Sequence, residues 1–422
     1  MRILRRSPQL GPLLRNPSSG HQLSIKPPPR HASTKASSVP GIHILGVGSI
    51  GKFLAHGLAT KPNPPTLSLI FHRANLLDSW KEEGQSVELI SEHGTSRSSG
   101  YNIEVLSKPS VEAHSAQTDR TVFPDAQGLI TNLIVATKTT RTIQALEGVR
   151  KRITPETTIL FAQNGIGIID EVNRLLFPNV ASRPKYAAAI VRQAMYGRNA
   201  FTVVHPGKGF MTVGMVSPSA VYSTEGKASS SLDTKPPAAH ELFLDAIAES
   251  PELNATKLST VDLLMSQYEK LVINGVMSPL SVILNCKYGD VFESSDPERN
   301  SNARLLARRL IEEMSEVVLY TLKSHHAFQR AGNVDFSRFL PDNLETIIVN
   351  ISKIVIDSYA SMLQDVRAGR ETEIDYINGH ISKKSMESGI PSPINEMAIE
   401  LVNKGLAISQ QDAQKIFQIC RS

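Results

Sequence analysis

From Gly41 onward the chain alternates short apolar runs with stretches of helical spacing. Ile42-His43-Ile44-Leu45 reads as a short buried strand, Ser49 to Ala59 as the helix after it, and Leu67 to Phe71 as a second strand. Leu129 to Ala136 is a continuous apolar run of the kind a central parallel strand shows, with a helical stretch from Thr140 to about Val149 behind it. Thr158 to Ala162 gives a further strand, ending at Gln163-Asn164-Gly165. Such alternation predicts right-handed βαβ units and a mainly parallel sheet. Residues 217–256 are rich in Ser, Pro and Ala and read as a loop insertion. From about residue 258 the texture changes. Val261 to Val276, Asn302 to Ser324, Asn343 to Arg367 and Glu373 to Glu387 carry apolar residues at helical spacing and few β-rich runs. The expected organisation is an α/β domain over 41–257 with a helical domain over 258–422, behind a leader of residues 1–40.

Charge changes the picture of the leader more than that of the body. The chain carries +5 overall, but residues 1–40 hold seven Lys or Arg and no acid, leaving 38 basic against 40 acidic residues in the remainder. The body is near neutral and shows no basic stripe with interleaved aromatics, which argues against a nucleic-acid partner. No window holds the run of apolar residues, about 18 long, that a membrane-spanning helix requires. The Arg- and Ser-rich, acid-free leader has the composition of a mitochondrial transit peptide, although a Pro- and Ser-rich extension with no address, on a cytoplasmic protein, is also open. The two cysteines, Cys286 and Cys420, provide neither a disulfide framework nor a thiolate zinc site, and no metal is expected.

Gly46-Val47-Gly48-Ser49-Ile50-Gly51 follows a strand and opens a helix, the context that gives G-x-G-x-x-G its meaning as a dinucleotide site of Rossmann type. Gly46 would make the turn, Gly48 would admit a pyrophosphate to the backbone, and Gly51 would let helix and strand pack closely. An NAD enzyme usually places an acid at the end of the second strand, to hold the ribose 2′-hydroxyl. Here no acid precedes Asp78, and His72-Arg73 stands in that place. A guanidinium suits a 2′-phosphate, so the cofactor expected is NADPH, with a solvated loop arginine as the other reading of Arg73.

In the second half, Lys270, Asn274 and Ser278 recur every fourth residue and form one polar stripe on a helix, opposite Leu271, Val272 and Val276. A lysine and an amide facing a cleft would suit ketone reduction; spacing alone favours a solvated surface lysine. These residues, with the glycine motif, Gln163-Asn164-Gly165, Pro279-Leu280, Ser361-Met362-Leu363-Gln364-Asp365 and Thr372-Glu373-Ile374-Asp375-Tyr376-Ile377-Asn378-Gly379, resemble the ketopantoate reductase (2-dehydropantoate 2-reductase) family, in order from about residue 41 to 405.

The resemblance implies an active site in the cleft between the two domains and NADPH-dependent reduction of ketopantoate to (R)-pantoate, a step toward pantothenate and coenzyme A. It casts Lys270 as the general acid. Asn164 and Lys138 would lie at the cofactor, Asn274, Ser278 and Ser361 would bind substrate, and Glu373 would accept a bond from the substrate hydroxyl. Thr372-x-x-Asp375 reads as a helix-start pattern, which puts Glu373 in a first turn, where the dipole favours a carboxylate. Ser278, and Ser358 on the helix leading to Ser361, stand where family members commonly show Asn. Both bear on substrate identity, so a D-2-hydroxyacid dehydrogenase acting on another 2-keto acid is the first alternative. A non-catalytic mitochondrial nucleotide-binding regulator is the second. The expected partner is a small-molecule 2-keto acid, with a homodimer possible.

Overall fold

The computed structural model describes residues 39–73, 75–106, 128–207, 209–216, 238–292, 297–405, 415, 416 and 418. The leader, the first part of the Ser/Pro/Ala-rich segment and Cys420 lie outside the described residues.

The first half builds two sheets. Strands β1 (Ile42–Leu45), β2 (Leu67–Phe71), β3 (Val87–Ser91), β4 (Gly94–Ser98), β5 (Asn102–Val105), β6 (Asn132–Val135), β7 (Thr158–Phe161) and β8 (Lys185–Arg192) come first, then β9 (Tyr196–Gly197), β10 (Thr202–His205), β11 (Phe210–Met215) and β12 (Ala255–Lys257). The larger sheet has the order β12-β11-β8-β7-β6-β1-β2-β5, and the smaller one β4-β3-β10-β9. From β5 through β8 every neighbour is parallel; β11 joins β8 antiparallel. This is the doubly wound order, whose direction reverses between β1 and β6. Helices α1 (Ser49–Thr60), α2 (Asn75–Glu82), α3 (Thr142–Glu147), α4 (Ile168–Leu175) and α5 (Ala239–Ala248) complete it.

The central strands read as unbroken apolar runs because both faces are covered. Ile42, Ile44, Leu69, Ile134 and Leu160 face the α1 side, while Leu45, Ile70, Leu133, Val135 and Phe161 face α3 and α4. The expectation of a loop over 217–256 fails from Ala239 onward. Ala239–Ala248 is helical and buries Phe243, Leu244, Ala246 and Ile247, and β12 closes the edge by pairing with β11. The Ser- and Pro-rich composition upstream masks a short amphipathic helix whose apolar face shows only once it has a sheet to lie on.

The second half is helical: α6 (Thr260–Ile283), α7 (Tyr288–Phe292), α8 (Pro297–Ser324), α9 (His326–Ala331), α10 (Pro341–Ile354), α11 (Ser361–Arg367), α12 (Ile374–Ser388) and α13 (Pro393–Lys404). Among the described residues no helix is long and apolar enough to cross a membrane. The stretch read as one helix over 343–367 is two, α10 and α11, so Ser358 lies in a connection and not in a helix. Within that connection the carbonyls of Ser358 and Ile356 accept from the backbone N–H groups of Tyr288 and Gly289, at 3.0 Å each, and so satisfy the start of α7.

α6 also runs seven residues beyond Val276, through Pro279. A proline inside a helix leaves the carbonyl four residues back without its donor. Here that carbonyl belongs to Gly275 and is taken by Asn378 Nδ2 of α12 at 2.9 Å, while Asn378 and Asn395 bond each other in the buried core. Asn378→Ala should strand the Gly275 carbonyl and Asn395 Oδ1, while Asn395 Nδ2 keeps its bond to the backbone carbonyl of residue 378. At about 1–3 kcal/mol for each buried group left unmade, a urea melt should show a loss of at least that size. A loss below about 0.5 kcal/mol would show that α6 does not depend on this bond.

Candidate active site

The first component is the turn from β1 into α1, at the point where the strand order reverses. Gly46 has φ +102°, and a Cβ on it would lie 2.7 Å from Thr137 N. A Cβ on Gly51 would lie 1.9 Å from Gly46 O. Packing within the protein demands both glycines. Gly48 is different: it is exposed, and a Cβ there would meet nothing closer than Ala136 O at 3.9 Å. Only a group from outside, approaching the N–H donors at the start of α1, requires a bare backbone there, which fits a dinucleotide pyrophosphate. Val47, Ser49 and Ile50 flank it half-buried, and no side chain caps α1. Arg73 is exposed just past β2, its Nε donating to His72 Nε2 at 2.8 Å.

The second component is a polar seam where the helices meet the ends of the parallel strands. Glu373 is 6% exposed. Its Oε1 accepts from Thr139 N at 3.1 Å and Thr139 Oγ1 at 3.0 Å, and its Oε2 from Asn164 Nδ2 at 3.1 Å. It occupies the N-cap position of α12 and not the first turn, and Thr372 Oγ1 accepts from Ile374 N at 3.4 Å. The pattern marked the right helix start, but the glutamate side chain turns to the strand ends and leaves the local turn to threonine. Beside it, Lys138 Nζ pairs with buried Asp365 of α11 at 2.5 Å, and Arg370 holds the second oxygen of Asp365 at 3.0 Å. Gly165, at φ +85°, lies so close to α12 that a Cβ would meet Tyr376 O at 2.4 Å, and Ile166 N donates to that carbonyl. Asn164, Asn274, Ser278, Ser361, Asp365 and Glu373 line one small cavity, which brings all four residues expected to bind substrate together with Asn164. Ser278 itself is buried and bonded with Tyr288.

Lys270 projects from α6 and donates to Val191 O of β8 at 2.8 Å. Burial, reinforced by the nearby Arg192 guanidinium and opposed by Glu373, lowers its pKa from the ordinary lysine value to about 8. A lysine with that value, set in a cleft, gives up a proton near neutral pH, which a solvated surface lysine does not. Arg192 is held by Glu269 Oε1 at 2.9 Å and Ser266 O at 3.0 Å.

Sequence reasoning did not pick out Thr139, Arg192 or Lys52. Lys52, buried in α1, donates to Asn199 O and Thr202 O at 2.9 Å each and ties the β9–β10 hairpin to the glycine turn. A lysine one residue past a glycine motif was the available signal. Thr139 and Arg192 act mainly through distant partners, which no local pattern announces. Asp365 stood in a quoted block with no role assigned.

A doubly wound sheet with a glycine-rich turn, covered by helices that present a half-buried lysine, defines a two-part oxidoreductase of the pyridine-nucleotide type. The chain belongs to the ketopantoate reductase family: residues 42–218 match the ketopantoate reductase PanE/ApbA pattern and residues 262–405 its C-terminal counterpart. It is 24% identical over 375 residues to a probable 2-dehydropantoate 2-reductase of Schizosaccharomyces pombe, covering 87% of this chain and 97% of that one. A ketoisovalerate reductase of Beauveria bassiana is 23% identical over 414 residues, 90% of this chain and 86% of the other. Among solved structures, a D-mandelate dehydrogenase with NADH and anilino(oxo)acetate superimposes with a TM-score of 0.61 at 20% identity, over 89% of this chain and 99% of that one. A family member from Ralstonia eutropha gives 0.61 at 19%, over 90% and 100%.

The three glycines make a test of the cradle. Gly51→Ala should destabilise the fold, because a backbone oxygen blocks the added methyl. Gly48→Ala should keep stability within about 1 kcal/mol, the cost of a poorer helix cap, yet weaken dinucleotide binding at least about tenfold, or 1.4 kcal/mol. Fluorescence titration and thermal melts would separate the two; unchanged binding by Gly48→Ala would remove the cradle reading.

Proposed function

We propose that the protein is an NADPH-dependent reductase of 2-keto acids, with ketopantoate, reduced to (R)-pantoate, as the reference substrate. The observation that carries this reading is the half-buried Lys270, its pKa lowered to about 8, one helical turn from Asn274, which lines a small cavity with Glu373 and Asn164. When bound, the reduced dinucleotide supplies the hydride that adds to C2 of the keto acid. The negative charge that develops on the C2 oxygen needs a proton, and Lys270 Nζ holds one, aimed by its bond to Val191 O. Water then restores the lysine. Asn274 can donate to the same oxygen, and Ser361, at the first position of α11, can donate to the acid's carboxylate. Glu373 already accepts three hydrogen bonds and retains room for about one more donor, enough for a substrate hydroxyl.

Choice of cofactor rests on Arg73 and the lack of any acid between β2 and Asp78. A charge-assisted pair contributes about 1.5–3 kcal/mol, so NADPH should be preferred over NADH by roughly ten- to a hundredfold in kcat/KM. Arg73→Ala should erase most of that preference and leave NADH use nearly unchanged; equal loss with both cofactors would make Arg73 structural.

The acid is tested by rate and by pH. Lys270 must carry its proton to reduce a ketone, so kcat/KM should fall tenfold per unit as pH rises above about 8, where an ordinary lysine would hold the rate to beyond pH 10. Lys270→Ala should cut kcat at least about a hundredfold and abolish that limb, with NADPH binding near normal. Unchanged turnover would move the acid elsewhere, Lys138 being next in the cleft. A protein that binds NADPH and reduces no 2-keto acid would sink the reading.

A further inference from the structure

Asn274 borders two cavities, and Lys270 lines the larger of them. One is the small polar nook with Ser278, Ser361 and Glu373. The other, of about 670 Å³, opens between α4, β8, α6, the end of α8 and α12. At about 30 Å³ of liquid volume per water it would hold on the order of twenty waters, well within the range of small-molecule sites. Ile166, Ile169, Ala188, Ile190, Leu264 and Leu271 form the aliphatic part of its wall, and Asp170, Arg174, Arg183 and Lys384 bring charge to the rest. Among its polar groups, Tyr268 Oη lies 3.2 Å from His380 Nε2, and Asn173 Oδ1 accepts from Tyr186 Oη behind the wall at 2.6 Å. Burial, with Lys384 and Lys383 nearby, holds His380 down to about 3, so its imidazole is uncharged at neutral pH.

The division of labour follows from this chemistry. A carboxylate and a developing alkoxide need donors, which the nook, the shared Asn274 and Lys270 supply. An alkyl or aryl chain needs apolar walls and room, which only the larger space offers. We propose that this cavity receives the side chain of the keto acid, and that the preferred substrates are 2-keto acids bearing an extended branched aliphatic or aromatic chain. The inference rests on the reductase reading above and adds to it the direction in which the substrate lies: carboxylate toward Ser361, C2 oxygen at Lys270 and Asn274, chain along β8 and α4.

The test is a series of 2-keto acids run with NADPH and with NADH: 2-ketobutyrate, ketopantoate, 2-keto-4-methylpentanoate, 2-ketooctanoate and phenylpyruvate. For the wild-type protein kcat/KM should climb at least about tenfold from the shortest to the longest chains, since one methylene in an apolar pocket is worth about tenfold or more. Ala188→Phe, on the buried face of β8, should cut the rate with the long chains at least about tenfold and change 2-ketobutyrate less than about threefold. Should that variant fail to fold, Ile169→Trp fills the same space from a half-buried position on α4, and thermal melts verify its fold. Leu264→Ala should shift the optimum toward still larger chains. Rates that fall with chain length, or variants that slow every substrate alike, would overturn the inference and leave the reductase standing. Reduction of none of the acids with either cofactor would overturn both.

Discussion

One buried carboxylate sets the geometry on which the remainder depends. Glu373 belongs to the helical half, yet all three of its hydrogen-bond donors come from the strand ends of the other half: the backbone and hydroxyl of Thr139 and the amide of Asn164. A carboxylate out of water is costly unless its lone pairs are met, and bonds to an ionic acceptor are the strong kind. The side chain therefore ties the N-terminus of α12 to the ends of β6 and β7 in one register. The Lys138–Asp365 pair and the approach of Gly165 to Tyr376 run along the same seam. With that seam closed, α6 is held across the sheet and Lys270 meets β8 at Val191.

On the mechanism proposed above, Lys270 is an acid built between two halves and not within one. Either half alone would leave the ammonium in water, at the ordinary lysine value and of little use near neutral pH. Burial lowers that value, Arg192 lowers it further and Glu373 restrains the fall. Each of the three elements that bear these groups, β8, α6 and α12, contributes to one proton's availability. Arg192 is itself anchored by Glu269 and by Arg338 through that glutamate, so its charge stays where the lysine feels it.

Much of this was legible in the sequence, and unevenly. The central strands and the glycine turn were plain because they obey local rules: apolar runs covered on both faces, and glycines demanded by close packing. The convergence of Asn164, Asn274, Ser278, Ser361 and Glu373 came from motif resemblance, and periodicity alone favoured the surface over the cleft for Lys270. What stayed hidden has a common cause. The two-stranded pieces of the smaller sheet, α5, and the break between α10 and α11 are each fixed by a partner far along the chain. Gly275 and Asn378, or Ser358 and Tyr288, are joined by bonds that no window of sequence contains. Pro279 reads as a helix end until Asn378 is seen to take the bond it forgoes.

The bonds of Glu373 to Thr139 and Asn164 span 234 and 209 residues. A ribosome builds the chain from the other end, and domains begin to fold as they emerge. The glycine turn and most of the sheet are complete long before residue 373 exists, so a growing chain acquires the means to hold a nucleotide well before it acquires a placed acid. On the proposed mechanism, chemistry is the last property this protein gains during its own synthesis, since an unfinished copy has its lysine but not the seam that places it.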